Sequence, residues 1–308
     1  MSPKPYTLKK VNYSHNLSMG LPYGLKDNKL VTIKEAQSGL ECNCYCPACN
    51  KQLLAHKGPL VKNYFAHYGV TDCYRGIEAS LQMLCKDIIE QERKMVLPAL
   101  YFSYSWRSRL APETEVAIDA VRLENRSGSP LYDIVIESKS RTILVDITVN
   151  QRTSRDRVQL LKSKNVFGVE LHLPRIVEYL FQRKDFRLKD EGFRNEILYG
   201  TTNKFWVHNP LLTEVEDVLK SEYATQRTMY WFKWEHGTYN YVDDCPLKKR
   251  VWQGGHKEGQ SYATVEDCNH CYFCLSKYDK ASGAVSCIGH LKDTLNQLLW
   301  KAKLHRSC

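Results

Sequence analysis

No run of about eighteen apolar residues occurs in this 308-residue chain, so no segment reads as a membrane-spanning helix. The opening residues, Met1-Ser-Pro-Lys-Pro-Tyr6, lack the basic, apolar and small-residue succession of a secretory signal. No low-complexity linker breaks the chain, and no internal repeat shows beyond a loose likeness between two cysteine-rich clusters. The expectation is a soluble, cytoplasmic chain with no membrane partner. Acidic residues are the scarcer charge, 34 against 44 lysines and arginines, for a net charge of +10. That balance favours an anionic partner, nucleic acid first. The length allows a good core and more than one domain.

Cysteine is plentiful, at twelve. A reducing compartment keeps thiols free, so clustered cysteines point to metal rather than to disulfides. Cys85 falls on the apolar side of a helical pattern and reads as core, and Cys308 as incidental. The first cluster is Cys42-Asn-Cys44-Tyr-Cys46-Pro-Ala-Cys49, in which Cys46-x2-Cys49 has the spacing of a zinc knuckle. His67 and Cys73 follow and complete four ligands; Cys42, Cys44 and His56 compete with them. The second cluster comprises Cys245, then Cys268-Asn-His-Cys271-Tyr-Phe-Cys274, then Cys287-Ile-Gly-His290. Two ligand sets fit it: Cys245, Cys268, Cys271 and Cys287, or Cys271, Cys274, Cys287 and His290. Either would make a closed structural Zn²⁺ site.

The acidic strands Asp133-Ile-Val-Ile-Glu137 and Ile143-Leu-Val-Asp-Ile-Thr-Val149 are joined by a short polar turn. Side chains alternate along a strand, so Asp146, Thr148 and Asn150 share one face while Val145, Ile147 and Val149 face the core. Asp133 begins the neighbouring antiparallel strand and reaches the same end of the hairpin. Paired carboxylates on rigid strands suit a hard cation such as Mg²⁺ or Mn²⁺. Glu78 is the candidate for a third carboxylate. It opens an amphipathic helix over residues 76–95 in which Glu78, Gln82 and Lys86 form a polar stripe.

Strands are expected near Lys29–Ile33, Ala99–Trp106, Glu115–Leu123, Tyr132–Glu137, Thr142–Val149 and Phe167–Leu173, with a helix over Arg155–Lys164. That helix lies between two strands and implies a parallel pair. The order helix, β-meander, helix, strand indicates an α/β core with helices on a mixed sheet. From Pro174 onward helix is expected to dominate, clearest at Arg175–Arg183 and Leu212–Glu222 and looser over Asp190–Leu198. The aromatic stretch Met229-Tyr-Trp-Phe-Lys-Trp234 suits either a core strand or base stacking on single-stranded nucleic acid.

The stretch Gly24 to Lys86 resembles the competence protein CoiA-like family. The matching pieces are Gly24-Leu-Lys-Asp-Asn-Lys-Leu-Val-Thr-Ile-Lys-Glu35, Cys44-Tyr-Cys-Pro-Ala-Cys49, Leu54-Ala-His-Lys-Gly58, Tyr64-Phe-Ala-His67, Cys73 and Glu78-Ala-Ser-Leu-Gln82 with Lys86. The likeness continues from Asp133 to Leu173. It implies a zinc finger fused to a PD-(D/E)xK restriction-endonuclease-like mixed sheet with flanking helices; the C-terminal cysteines add a second small zinc-binding module. By position, Glu78 is the helix acid, Asp133 and Asp146 the strand acids, and Thr148 stands in place of the motif lysine. Arg155 or Arg157 would supply the missing basic group, and the Ile147 carbonyl a further ligand for the catalytic metal. In the C-terminal cluster the resemblance favours Cys245, Cys268, Cys271 and Cys287.

The implied layout is a β-rich segment over 1–40, a zinc-finger module over 41–75, the nuclease-like domain over 76–175, a helical and aromatic region over 176–240 and a zinc module over 241–308. The expected activity is metal-dependent cleavage of DNA, serving uptake, recombination or defence against mobile elements. The alternatives are a non-catalytic DNA-binding accessory protein and a nuclease subunit silent until a partner or signal releases it; the expected partners are DNA and either another protein or further copies of the chain in a homo-oligomer.

Overall fold

The computed structural model describes residues 20–58, 63–69, 73, 75–102, 108–125, 132–139, 141–149, 152–173, 191–234, 237–276 and 283–304. The chain divides into two compact units, Met1–Pro98 with Glu113–His208, and Ala99–Pro112 with Asn209–Cys308.

The first unit opens with an antiparallel sheet of β1 (Tyr23–Lys26), β2 (Lys29–Thr32), β3 (Gly39–Tyr45), β4 (Gln52–His56) and β5 (Tyr64–His67), in the order β2-β1-β3-β4-β5. Asp27 and Asn28 take positive φ, 49° and 60°, which a two-residue hairpin with right-handed strand twist demands. Leu21, Cys42, Cys44, Leu53 and Phe65 fill its core. The expected division near residue 40 is corrected: β3 spans it, and the segment before it pairs into the same sheet as the cysteine cluster.

Helix α1 (Gly76–Glu92) follows and stops where Arg93 turns left-handed at φ 54°. Ala79 packs in the core of the first sheet, while Leu81, Leu84, Cys85, Ile88 and Ile89 pack in a second core. A helix buried on two sides has little room for a solvated stripe. The expected stripe is accordingly broken at Gln82, which is fully buried.

Then come β6 (Lys94–Leu97), β7 (Leu100–Tyr101), β8 (Arg109–Ala111), β9 (Thr114–Ala117), β10 (Ala120–Asn125), β11 (Tyr132–Ser138), β12 (Arg141–Thr148), α2 (Arg155–Ser163), β13 (Phe167–His172), α3 (Glu191–Leu198) and β14 (Lys204–His208). The second sheet runs β10-β11-β12-β13-β14. Only β12 and β13 are parallel in it, joined by the α2 crossover. Two expectations are corrected. The segment after Ala99 contributes β7 to a pair with β8 in the second unit, not to this sheet. The strand expected over Glu115–Leu123 splits into β9 and β10, because the Ile118 N–H turns to the Arg93 carbonyl and the Asp119 N–H to that of Glu137.

The second unit holds α4 (Pro210–Val218), β15 (Thr225–Trp234), β16 (Gly237–Asp243), β17 (Arg250–Val251), β18 (Ser261–Thr264), α5 (Val265–Asn269), β19 (Ala284–Cys287) and α6 (Leu295–Leu304). Asn209 caps α4, its side chain accepting the Leu211 N–H, and Pro210 occupies the first turn, where a missing N–H costs nothing. The strands form a sheet ordered β17-β18-β16-β15-β19. The expectation of mostly helix beyond Pro174 is therefore corrected: residues 191–198 and 210–218 are helical, but β14 to β19 are strands. Arg175–Arg183 lies outside the described residues. Threonine and aromatic side chains along β15 favour a pleated surface, and the β15–β16 hairpin crosses the boundary expected at 240. No helix among the described residues is long and apolar enough to cross a membrane.

Candidate functional site

In the first sheet the β3–β4 turn carries Cys46 and Cys49. The Cys46 N–H bonds the Lys51 carbonyl at 2.8 Å, and the Asn50 N–H bonds that of Cys46 at 2.9 Å. Pairing of Leu53 with His67 brings β5 to the mouth of this turn. The ligand atoms of Cys46, Cys49, His67 and Cys73 all lie within 4.8 Å of one another. The Cys46 and Cys73 sulfurs are 3.7 Å apart, and Cys49 Sγ is 3.4 Å from His67 Nε2. Burial pushes the Cys46 thiol up to about 12, against the N–H groups of Cys49 and Ala48 that favour its thiolate. Burial also raises the Cys73 thiol and lowers His67. Neutral imidazole is the ligating form. A Cys₃His group of this kind could bind a structural metal such as zinc. The rival ligands are engaged elsewhere. Cys42 and Cys44 are buried and donate to the carbonyls of Leu53 and Cys42, and His56 stacks on Tyr64. A Cβ on Gly76 would stand 3.1 Å from Cys46 Sγ, so the group lies against the first turn of α1.

The carboxylates sit on the second sheet. The register Ile134↔Val145 carries Asp133 opposite Asp146, and the parallel register pairs Asp146 with Glu170 and Thr148 with His172. Asp133, Asp146 and Glu170 thus form a row across three adjacent strands, at 4%, 7% and 3% exposure. The row lies at the carboxyl ends of the parallel pair, where open α/β sheets gather ligands. Its side chains turn away from the face on which Ile134, Val145, Ile147 and Leu171 join the α1 core. On the row's own side, Leu161 of α2 packs so closely on Gly168 that a Cβ there would be 2.6 Å from Leu161 Cδ1.

Each carboxylate has its own partner. Arg157, in the first turn of α2, pairs with Asp133. Thr153 Oγ1 donates to Asp146 at 2.9 Å. Glu170 accepts from the Thr153 N–H at 3.0 Å and from Thr148 Oγ1 at 2.7 Å, and the Arg152 guanidinium stands 2.7 Å away. Thr148 Oγ1 is also 2.9 Å from His172 Nδ1. Burial first, and then the Arg152 cation, hold His172 below its ordinary pKa. Among the described residues the Cys₃His group is the one set of three or more such side chains with all ligand atoms within 4.8 Å; the carboxylates are not drawn that close.

Of the expected site residues, Asp133, Asp146, Thr148 and Arg157 come together. Ile147 buries its side chain on the opposite face of β12. Glu78 is half-buried in the first turn of α1, the helix on that opposite face, and strand register does not bring it into the row. Asn150 lies outside the described residues. Sequence reasoning missed Glu170, His172, Arg152 and Thr153. The alternation Phe167-Gly-Val-Glu-Leu-His172 was the available signal, because it turns Glu170 and His172 away from the apolar face.

In the second unit, Cys245, Cys268, Cys271 and Cys287 line one cavity together with Cys274. His290 is exposed and is not in that lining. The aromatic stretch is part of β15. Tyr230 and Phe232 meet Tyr239, Tyr241 and Trp252 on one sheet face, and Trp231, on the other, is 70% exposed. Comparison with protein-family models, with curated proteins and with solved structures gave no match.

Proposed function

We propose that this protein is a divalent-metal-dependent DNA nuclease of the PD-(D/E)xK type, akin to the CoiA-like family it resembles. The observation that carries the reading is the buried carboxylate row at the carboxyl ends of β12 and β13. The succession α1, β10–β12, α2, β13 supports it, being the helix, meander, helix, strand order that the resemblance implies. The row offers oxygen donors alone, which fits a hard cation. Asp133 and Asp146, with the Ile147 carbonyl, would hold Mg²⁺ or Mn²⁺, which supplies an activated water and charge neutralisation at the scissile phosphate. Arg157 and Arg152 are the cations beside the row, and in the reaction they stabilise the charge that grows on the phosphate. Thr148, in the place of the motif lysine, is a positioning residue: its hydroxyl holds Glu170 and His172 together. The Cys₃His group stiffens the start of α1, and the basic surplus favours DNA as the partner.

The test is cleavage of plasmid and single-stranded circles by the purified chain, with Mg²⁺ or Mn²⁺ against a chelator, and with Asp146→Ala alongside. Metal-dependent cutting lost in the variant is expected; cutting that survives the substitution would sink the assignment. A second reading is favoured by the two arginines on Asp133 and Glu170, since a row in which two of three carboxylates already have a cation suits a non-catalytic DNA-binding accessory protein or a nuclease waiting for a partner. DNA bound but never cut would support it.

A further inference from the structure

In the second unit a buried cluster of Val242, Cys245, Ala263, Cys268 and Val285 packs around the sheet, and two of the five are cysteines. No disulfide joins the cysteines here: Cys245, Cys268, Cys271, Cys274 and Cys287 are all free. Yet they come from four places, the end of β16, the end of α5, the turn beyond it and the end of β19, and line one cavity.

The backbone around them suits thiolates. Cys268-x2-Cys271-x2-Cys274 makes two successive turns, with the Cys271 N–H on the Cys268 carbonyl at 3.0 Å and the Cys274 N–H on the Cys271 carbonyl at 3.0 Å. The Gly289 N–H points to Cys287 Sγ at 3.3 Å. The Cys274 thiol donates to the Ser276 carbonyl at 3.1 Å. Bridge pairing of Cys274 with Cys287 draws the turn to β19. Arg227 and Lys249 share the lining, so cations stand ready beside a site whose thiolates outnumber the charges of a divalent ion.

We propose that this cavity is a second metal site, separate from the Cys₃His group, in which four of these five cysteines bind one zinc ion as thiolates and the fifth is spare. Cys274 belongs to the site and His290 does not. The five sulfurs stand further apart than the donors of the Cys₃His group, so binding draws turn and strand together. Metal and folding of this unit are then coupled. The inference is independent of the nuclease reading.

The experiment begins with the full chain loaded with Zn²⁺ and freed of excess. Two zinc equivalents per chain are expected, and one would overturn the proposal. The chain carrying Cys49→Ser and His67→Ala is then loaded with Co²⁺. It should keep one equivalent, with the intense thiolate-to-cobalt charge-transfer absorption of an all-sulfur site. Loss of all tightly bound cobalt from that variant, with its circular dichroism unchanged, would equally overturn it. Single serine substitutions at the five cysteines should lower zinc to one equivalent at four positions and leave two at the fifth. Retention of two equivalents after Cys268→Ser and Cys274→Ser together would refute the site.

Discussion

Two donor sets of the first unit handle the same physical problem in opposite ways. Cys46, Cys49, His67 and Cys73 have gathered their ligand atoms within 4.8 Å, whereas Asp133, Asp146 and Glu170 stand side by side on three strands and each leans on another group. Thiols and imidazole can be neutral, and burial favours the neutral forms of Cys46, Cys73 and His67, so nothing keeps the group apart. Three carboxylates cannot share a buried space as anions without a counter-charge. Arg157 and Arg152 supply that charge. A soft-metal site can therefore be preassembled by packing alone. If the carboxylate row binds a hard metal, as proposed, the ion would have to take over the counter-charge that the arginines now supply.

The sharpest way to break this contrast is Asp146→Ala, which removes the middle carboxylate of the row. Under the nuclease reading, Mg²⁺-dependent cleavage falls to background while zinc content and DNA binding stay unchanged; parallel assays of all three separate the two donor sets. Next in size is the converse. Cys49→Ser with His67→Ala should cost one zinc equivalent and several kcal/mol of stability, because the free energy of a structural metal is folding free energy. Thermal melts with and without chelator check this, and a melting temperature unmoved by either would remove the structural role.

Arg157→Gln tests the counter-charge itself. Breaking a buried ion pair from one side costs about 3–5 kcal/mol, read in urea without divalent metal. The same variant should bind Mn²⁺ more tightly than the parent, since Asp133 is left without its cation. Weaker Mn²⁺ binding would mean that Arg157 is not a placeholder.

Lys204 shows a third way to bury a charge. Its amine donates to the carbonyls of Val96 and Leu198, and burial lowers its pKa to about 8. Between about pH 8 and its ordinary 10.5 the unfolded chain holds the proton and the folded chain does not, so this lysine's contribution to stability rises with pH. The stability of the parent relative to Lys204→Met should therefore climb across that window by on the order of 3 kcal/mol. A flat difference would contradict the burial cost.

Smallest is Gly168→Ala, which pushes Leu161 and with it α2. Overpacking of this kind costs about 1–3 kcal/mol. It should disturb the carboxylate row through Arg157 and leave zinc content alone.

What the residues disclosed on their own was local. Alternation along Asp133–Glu137 and Ile143–Val149 foretold β11 and β12 and their faces, because strand periodicity is written in neighbouring residues. A helix between two strands foretold the parallel β12–β13 pair. Cys-x2-Cys spacing with His67 and Cys73 foretold the donors of the first cluster. Their choice over Cys42 and Cys44 was decided by tertiary structure, which turned those two thiols into the sheet core. The third carboxylate was decided the same way. Glu78 and Glu170 are equally acidic in sequence, but only strand register sets Glu170 beside Asp146, and register is a long-range property. Gln82, read as part of a polar stripe, is buried because α1 packs against two cores at once. Beyond Pro174 a core strand was one reading of Met229–Trp234, which became part of β15; the other strands there are short, and a short run becomes a strand only when a partner is present to pair with it. In short segments the sequence by itself sets which residue types can do chemistry; which of them meet is set by packing and hydrogen-bonded register across distant parts of the chain.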